Sequence, residues 1–152
     1  MKVGACDPDH PDAQLLLAEL SAALEAITGS SGAASFAPDD VRGPGAAFAL
    51  ARDDDGRALG CGALRQLTGD IGEIKRMYAR PGSGGAGAAL LAYLEHTAHA
   101  LGYSRLWLET RCVNTRAMAF YARHGYTRIA NYGQYRGRPE AACFEKRIPG
   151  AR

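Results

Sequence analysis

Along residues 12–27, Leu16, Leu20, Leu24 and Ile27 recur every three or four positions among polar residues, and Gly29 follows. That spacing predicts an amphipathic helix with these side chains facing inward and the glycine as its stop. The period then changes. Residues 45–52 and 58–67 are apolar-rich runs separated by Asp53-Asp54-Asp55-Gly56, which predicts two strands joined by a solvated acidic turn. A third strand over 70–79 follows Thr68-Gly69 and completes an antiparallel meander. Beyond Arg80-Pro81 the helical spacing returns, with Leu90, Leu91, Leu94, Ala98 and Leu101 on the inward face of a helix over 85–101 that Gly102 terminates. Residues 104–109 read as a strand, Asn114 caps a helix to about His124, and 126–131 with 141–148 form a closing antiparallel pair. A strand, a helix and a further strand at this spacing imply a parallel crossover. The expected fold class is α/β (α+β), a mixed and mostly antiparallel central sheet flanked by helices, in a single domain over residues 1–152.

Composition adds limits to this picture. The chain is 47% hydrophobic and 22% charged, and no apolar run approaches the ~20 residues that a membrane helix needs. A soluble protein without a membrane partner is expected. The N-terminus lacks the apolar stretch of an export signal, so the cytoplasm is the default location. Cys6, Cys61, Cys112 and Cys143 are scattered, with no paired spacing and no histidine at ligand distance, which favours buried thiols and no metal. The formal charge of +2 conceals an asymmetry: residues 1–75 carry a net −6 and residues 76–152 a net +8. A basic second half without a basic tract argues against a nucleic-acid partner, so none is expected, and suits a small polyphosphate ligand.

The chemistry concentrates where the meander ends. Gly82-Ser83-Gly84-Gly85-Ala86-Gly87 lies between a strand and a helix N-terminus. Glycine permits positive φ and close ligand approach, and the unpaired N–H groups of the first helical turn favour an anion such as a pyrophosphate. A Walker loop is excluded, because no Gly-Lys-Ser/Thr closes the motif. A dinucleotide site stays open, with Glu109 about 20 residues on as its ribose acid, although a helix and three hairpin strands precede the loop where such a fold would begin.

The segments Glu73-Ile74-Lys75-Arg76-Met77-Tyr78-Ala79-Arg80-Pro81, the glycine loop, Leu90-Leu91, Leu101-Gly102-Tyr103, Leu108-Glu109-Thr110 and Asn114 to Tyr126 resemble successive signatures of the GNAT superfamily of N-acetyltransferases, over about residues 46–148. The resemblance implies a sheet split between two central parallel strands, acetyl-CoA as cosubstrate and direct acetyl transfer to a primary amine of a small molecule or peptide. It implies that Met77, Tyr78 and Ala79 pair with the pantetheine arm and that Gly82, Ser83, Gly84, Gly85, Ala86, Gly87 and Ala88 hold the pyrophosphate. The family's loop opens with Arg or Gln; here that position is Gly82, which leaves the backbone N–H groups from Ser83 to Ala88 to carry the contact. The same fold without turnover, as an acyl-CoA-binding module, is the alternative. A homodimer is left open.

By the same match, Tyr121 protonates or hydrogen-bonds the CoA sulfur, and Asn114 contacts the pantetheine side. Glu73 is the candidate general base acting through water, on the expectation that it shares the cleft face with Met77. His96, His99 and His124 are expected on exposed or packing positions rather than as bases. The stretch Tyr132-Gly133-Gln134-Tyr135-Arg136-Gly137-Arg138-Pro139 ahead of the last strand is expected to border the acceptor; Arg136 and Arg138 are either solvated, the commoner state of arginines on a polar loop, or favour a carboxylate or phosphate on it.

Overall fold

The computed structural model describes residues 1–149, within which seven strands form one sheet in the order β1-β2-β3-β4-β5-β7-β6. The meander is β2 (Ala47–Arg52), β3 (Ala58–Thr68) and β4 (Ile71–Ala79). β2 shows why both faces of the sheet are covered: Phe48 and Leu50 pack with Ala13, Leu16 and Cys61 against α1 (Pro11–Thr28), while Ala49 and Ala51 join Leu64, Ile74, Leu90 and Leu94 under α2 (Ala86–Ala100). Successive side chains on a strand point to opposite faces, so one apolar run feeds two cores. β5 (Arg105–Arg111), α3 (Thr115–Arg123), β6 (Thr127–Ile129) and β7 (Ala141–Arg147) complete the fold, with β7 inserted between β5 and β6. The mixed sheet, the crossover and the closing antiparallel pair are as expected.

Several local expectations change. A strand β1 (Lys2–Ala5), not foreseen, pairs antiparallel with β2. Ile27 and Leu101, both expected to face inward, are exposed, since each sits in or just past the last turn of its helix, beyond the reach of the sheet. α1 ends on Gly29 with a left-handed φ of 82°, its N–H bonded to Glu25 O.

Two distortions of β4 shape the functional region. β4 and β5 are parallel neighbours only from Ile71↔Arg105 to Glu73↔Trp107; beyond that the ladder stops, and the β4 edge from Ile74 to Ala79 is unpaired with β5. The other distortion is a bulge. The β3 register slips between Cys61↔Tyr78 and Ala63↔Lys75, and Arg76 takes a φ of 53°, the one positive value among the described non-glycine residues. Opposite the bulge, Gly62 leaves room for the Met77 sulfur, which would lie 2.5 Å from a Cβ built there. The strained Arg76 is held by its own side chain: Nη1 donates to Ser31 O at 3.1 Å, and Nη2 to Leu17 O at 3.2 Å and to Ser21 Oγ at 2.5 Å. The bulge thus clasps α1 and the following loop to the splayed strand.

Candidate active site

The bulge moves Met77 to the α2 face, beside Leu94, whereas Glu73 and Lys75 face the α1 side. Glu73 and Met77 therefore do not share a face, contrary to the simple alternation expected of β4. Glu73 nevertheless lies in the cleft, only 2% exposed. Its Oε1 accepts from Arg65 Nε at 2.7 Å and its Oε2 from the Tyr132 hydroxyl at 2.5 Å.

Two cavities meet at this carboxylate. The smaller, about 140 Å³, occupies the gap between the diverging strands and is lined by Lys75, Met77, Glu109, Asn114 and Tyr121 among others. The larger, about 360 Å³, lies between the loop after α1 and the segment before β7, with Phe36, Asp40, Arg65, Leu67, Tyr132 and Gln134 in its wall. Ser35, Glu73 and Tyr135 line both. Residues 30–37, rich in glycine, alanine and serine, form a cavity rim, fixed by the Arg76 bond to Ser31 and by Lys75 Nζ donating to Ser35 O at 2.6 Å. Tyr132 to Tyr135 line the larger cavity. Arg136 and Arg138 line neither cavity and are exposed to solvent, the solvated one of the two readings of these arginines.

Tyr121 comes from the buried face of α3, where its ring packs edge-on against Phe120 and Tyr126 at centroid distances of 5.2 and 5.7 Å. It is at once a core aromatic and a cavity residue. Burial alone pushes its phenol upward, with no charged or hydrogen-bonding neighbour contributing, so the hydroxyl keeps its proton at neutral pH. Asn114 caps α3, its Oδ1 accepting from Ala117 N at 3.2 Å, and leaves the amide nitrogen of its side chain for the cavity. His96 and His99 are exposed; His124 stacks on Phe120 at 4.6 Å.

Glu109, the ribose acid of the dinucleotide alternative, lines the gap together with Lys75. Its Oε2 is buried and has no hydrogen-bond partner, with Arg111 Nε 3.7 Å away, too far for one. Burial raises its pKa, against the opposing pull of Arg111 and Lys75. Strand alternation was the available signal: Leu106 and Leu108 are buried core residues, which sets Trp107 and Glu109 on the opposite face.

At the far end of β4, Gly82, Gly84 and Gly85 all adopt positive φ, between 65° and 85°. Gly85 is the N-cap of α2 without any side-chain cap, and its carbonyl takes the first helical bond, from Ala89 N. The N–H groups of Ala86, Gly87 and Ala88 have no helical acceptor, which leaves them for an anion. The Ser83 N–H, by contrast, is used by Arg80 O at 3.1 Å. Arg80 itself anchors α1 beside the loop: Glu19 accepts from its Nε and Nη2 at 2.9 and 2.7 Å, and this guanidinium holds the Glu19 carboxyl below the usual range. Among the described residues, no helix is long and apolar enough to cross a membrane.

A model of the acetyltransferase (GNAT) family matches residues 15–126. A protein named IAA acetyltransferase from Azospirillum brasilense is 36% identical over 115 residues, which are 74% of this chain and 71% of that protein. A solved structure described as an acyl-CoA N-acyltransferase from Klebsiella pneumoniae superimposes with a TM-score of 0.81 and 28% identity, covering 97% of each chain. N-acetylglutamate synthase from Neisseria gonorrhoeae, solved with coenzyme A and N-acetyl-glutamate, shares the fold with a TM-score of 0.70 at 23% identity, over 97% of this chain and 35% of that one. With the family pattern spanning most of the chain and a split sheet beside an uncapped glycine-loop helix, the protein belongs to the GNAT acetyltransferase family.

Proposed function

We propose that the protein transfers an acetyl group from acetyl-CoA directly to a primary amine of a small molecule or peptide, in the gap between β4 and β5. The observation that carries this reading is the open β4 edge from Ile74 to Ala79, which runs from the uncapped N-terminus of α2 to a cavity holding Tyr121 and Glu109. An extended arm rich in amides can add to such an edge as a strand does, through the main chain of Met77, Tyr78 and Ala79. The pyrophosphate would rest on the N–H groups of Ala86, Gly87 and Ala88, with Gly82, Gly84 and Gly85 keeping side chains out of the way and Ser83 offering its hydroxyl. Because Gly82 supplies no side-chain cation, the backbone and the helix dipole carry this contact.

Acetyl-CoA supplies an activated acyl carbon; the chain supplies positions and proton transfers. The amine forms the new C–N bond as the C–S bond breaks. Glu109, whose buried Oε2 accepts no hydrogen bond and whose pKa is raised by burial, takes the proton that the nitrogen sheds, and Tyr121 gives its proton to the departing sulfur before recovering one from solvent. Glu73 is the alternative proton acceptor. A carboxylate that already accepts from a guanidinium and a phenol suits a fixed wall better than a base, so we assign it to shaping the junction of the two cavities and, through Arg65 and Tyr132, to holding the acceptor side together. Asn114 offers its side-chain amide to the pantetheine side.

Cosubstrate binding separates this reading from a dinucleotide site. Thermal unfolding in the presence of CoA should shift upward while NAD leaves it unchanged, since a ligand at 100 times its dissociation constant adds about 2.7 kcal/mol. Stabilisation by NAD and not by CoA would overturn the assignment.

A further inference from the structure

We infer that the acceptor is an amino acid in form, a small molecule whose amine stands next to a free carboxylate, and that Lys75 binds that carboxylate. The inference rests on the transfer reaction proposed above and adds a substrate class to it. Five basic or acidic side chains besides Glu109 reach the joined cavities from β3 and β4 or from the loop after α1, and they differ in how far their hydrogen-bonding groups are engaged. Arg65 and Glu73 are paired. Asp40 accepts from Ala37 N at 3.0 Å across the rim turn. Lys75 is the least engaged of the cations: its ammonium donates to one carbonyl, Ser35 O, and no carboxylate among the described residues lies within 4.0 Å of it. An ammonium has three donors, so two remain. The adjacent Arg76 has its Nη atoms committed to α1 and the rim and only its buried Nε without a partner, one donor against the two of Lys75.

Across the same small cavity stands Glu109, whose Oε2 is buried and has no hydrogen-bond partner. Lys75 and Glu109 sense each other electrostatically yet do not form an ion pair. Arg111 gives Glu109 a counter-charge at 3.7 Å but no hydrogen bond, so a cation with two unused donors and an anion with an unused acceptor face a cavity of about 140 Å³, and a ligand that bonds both is favoured there. A zwitterion does so: its carboxylate meets Lys75 while its amine meets Glu109, on the side of the gap that Tyr121 lines. The acceptor's side chain would pass Ser35, Glu73 and Tyr135 into the larger cavity, among Phe36, Leu67 and Tyr132. A peptide N-terminus lacks the neighbouring carboxylate and would leave Lys75 unanswered.

The test uses matched acceptors: free L-amino acids, the corresponding amino-acid amides and the corresponding decarboxylated amines, with acetyl-CoA, for wild type, Lys75→Met and Lys75→Arg. Wild type is expected to favour the acid over its amide at least tenfold in kcat/KM, mostly through KM. Lys75→Met should reduce that preference to near one, and Lys75→Arg should restore much of it. Equal use of acid and amide by wild type overturns the inference while leaving acetyl transfer intact. An equal loss on acid and amide in Lys75→Met also overturns it, because that is the signature of a lysine serving the cosubstrate or the fold. Where no acceptor turns over, calorimetric titration of the same amino acids into CoA-saturated protein decides: binding that requires Lys75 upholds the substrate class while transfer fails, and no binding refutes both.

Discussion

Replacing Tyr121 with phenylalanine is expected to lower kcat about 100-fold, the lower end of what a positioned general acid contributes, while CoA affinity stays the same. The ring supplies the packing and the hydroxyl supplies the chemistry. Phe120, Tyr126 and Phe144 pack around a ring that the substitution keeps. The hydroxyl that it removes has no hydrogen-bonding neighbour influencing it, so deletion leaves no protein group stranded and stability should change by less than about 1 kcal/mol. Pre-steady-state acetyl transfer and a CoA titration measured side by side check this. Undiminished transfer would remove Tyr121 from the reaction and leave it as a core residue.

Glu109→Gln carries the other large effect, about 100-fold or more in kcat, and it also changes the pH profile. Burial raises the Glu109 pKa, so the wild-type rate should climb with pH through a midpoint above the ~4.3 of an ordinary glutamate. The sign follows from the role: a base works only when deprotonated, so activity is lost as pH falls through that midpoint. In Glu109→Gln the acidic limb should vanish along with most of the rate. The amide is nearly isosteric, relieves a desolvated charge and leaves Arg111 its other partner, Glu140, so the variant should fold with near wild-type stability at neutral pH. A variant that kept the rate and the acidic limb would move the proton acceptor elsewhere, with Glu73 the next candidate.

How much of this was legible in the sequence depended on whether the information was local. The meander, the glycine loop between strand and helix, the Asn114 cap and the helix carrying Tyr121 all announce themselves through periodicity or through residues with narrow conformational roles. β1 did not, because its burial pattern is mostly exposed and its strand state comes from pairing with β2 rather than from an apolar face. Nor did the bulge. A positive φ at Arg76 has no sequence mark, since arginine rarely adopts it; the conformation is maintained by hydrogen bonds to residues 45 to 59 positions earlier. That one residue decides which face Met77 and Glu73 occupy, so the cleft could be foreseen but not its walls. Lys75 passed unremarked for the same reason: whether a lysine is solvated or lacks a counter-charge in a cavity is settled only by the loop that folds over it. Glu109 was within reach, since Leu106 and Leu108 fix its face, but the sequence argument had assigned it to a rival ligand.

The central claim is that the split sheet is a place of reaction and not only of binding. Purified protein with acetyl-CoA and a panel of primary amines, followed by CoA release and by mass spectrometry of the acceptor, tests this most directly. The account predicts steady release of CoA, matched mole for mole by an N-acetylated product and greatly slowed in Tyr121→Phe. Tight CoA binding with no acetylated product from any amine would contradict it and leave an acyl-CoA-binding module in its place.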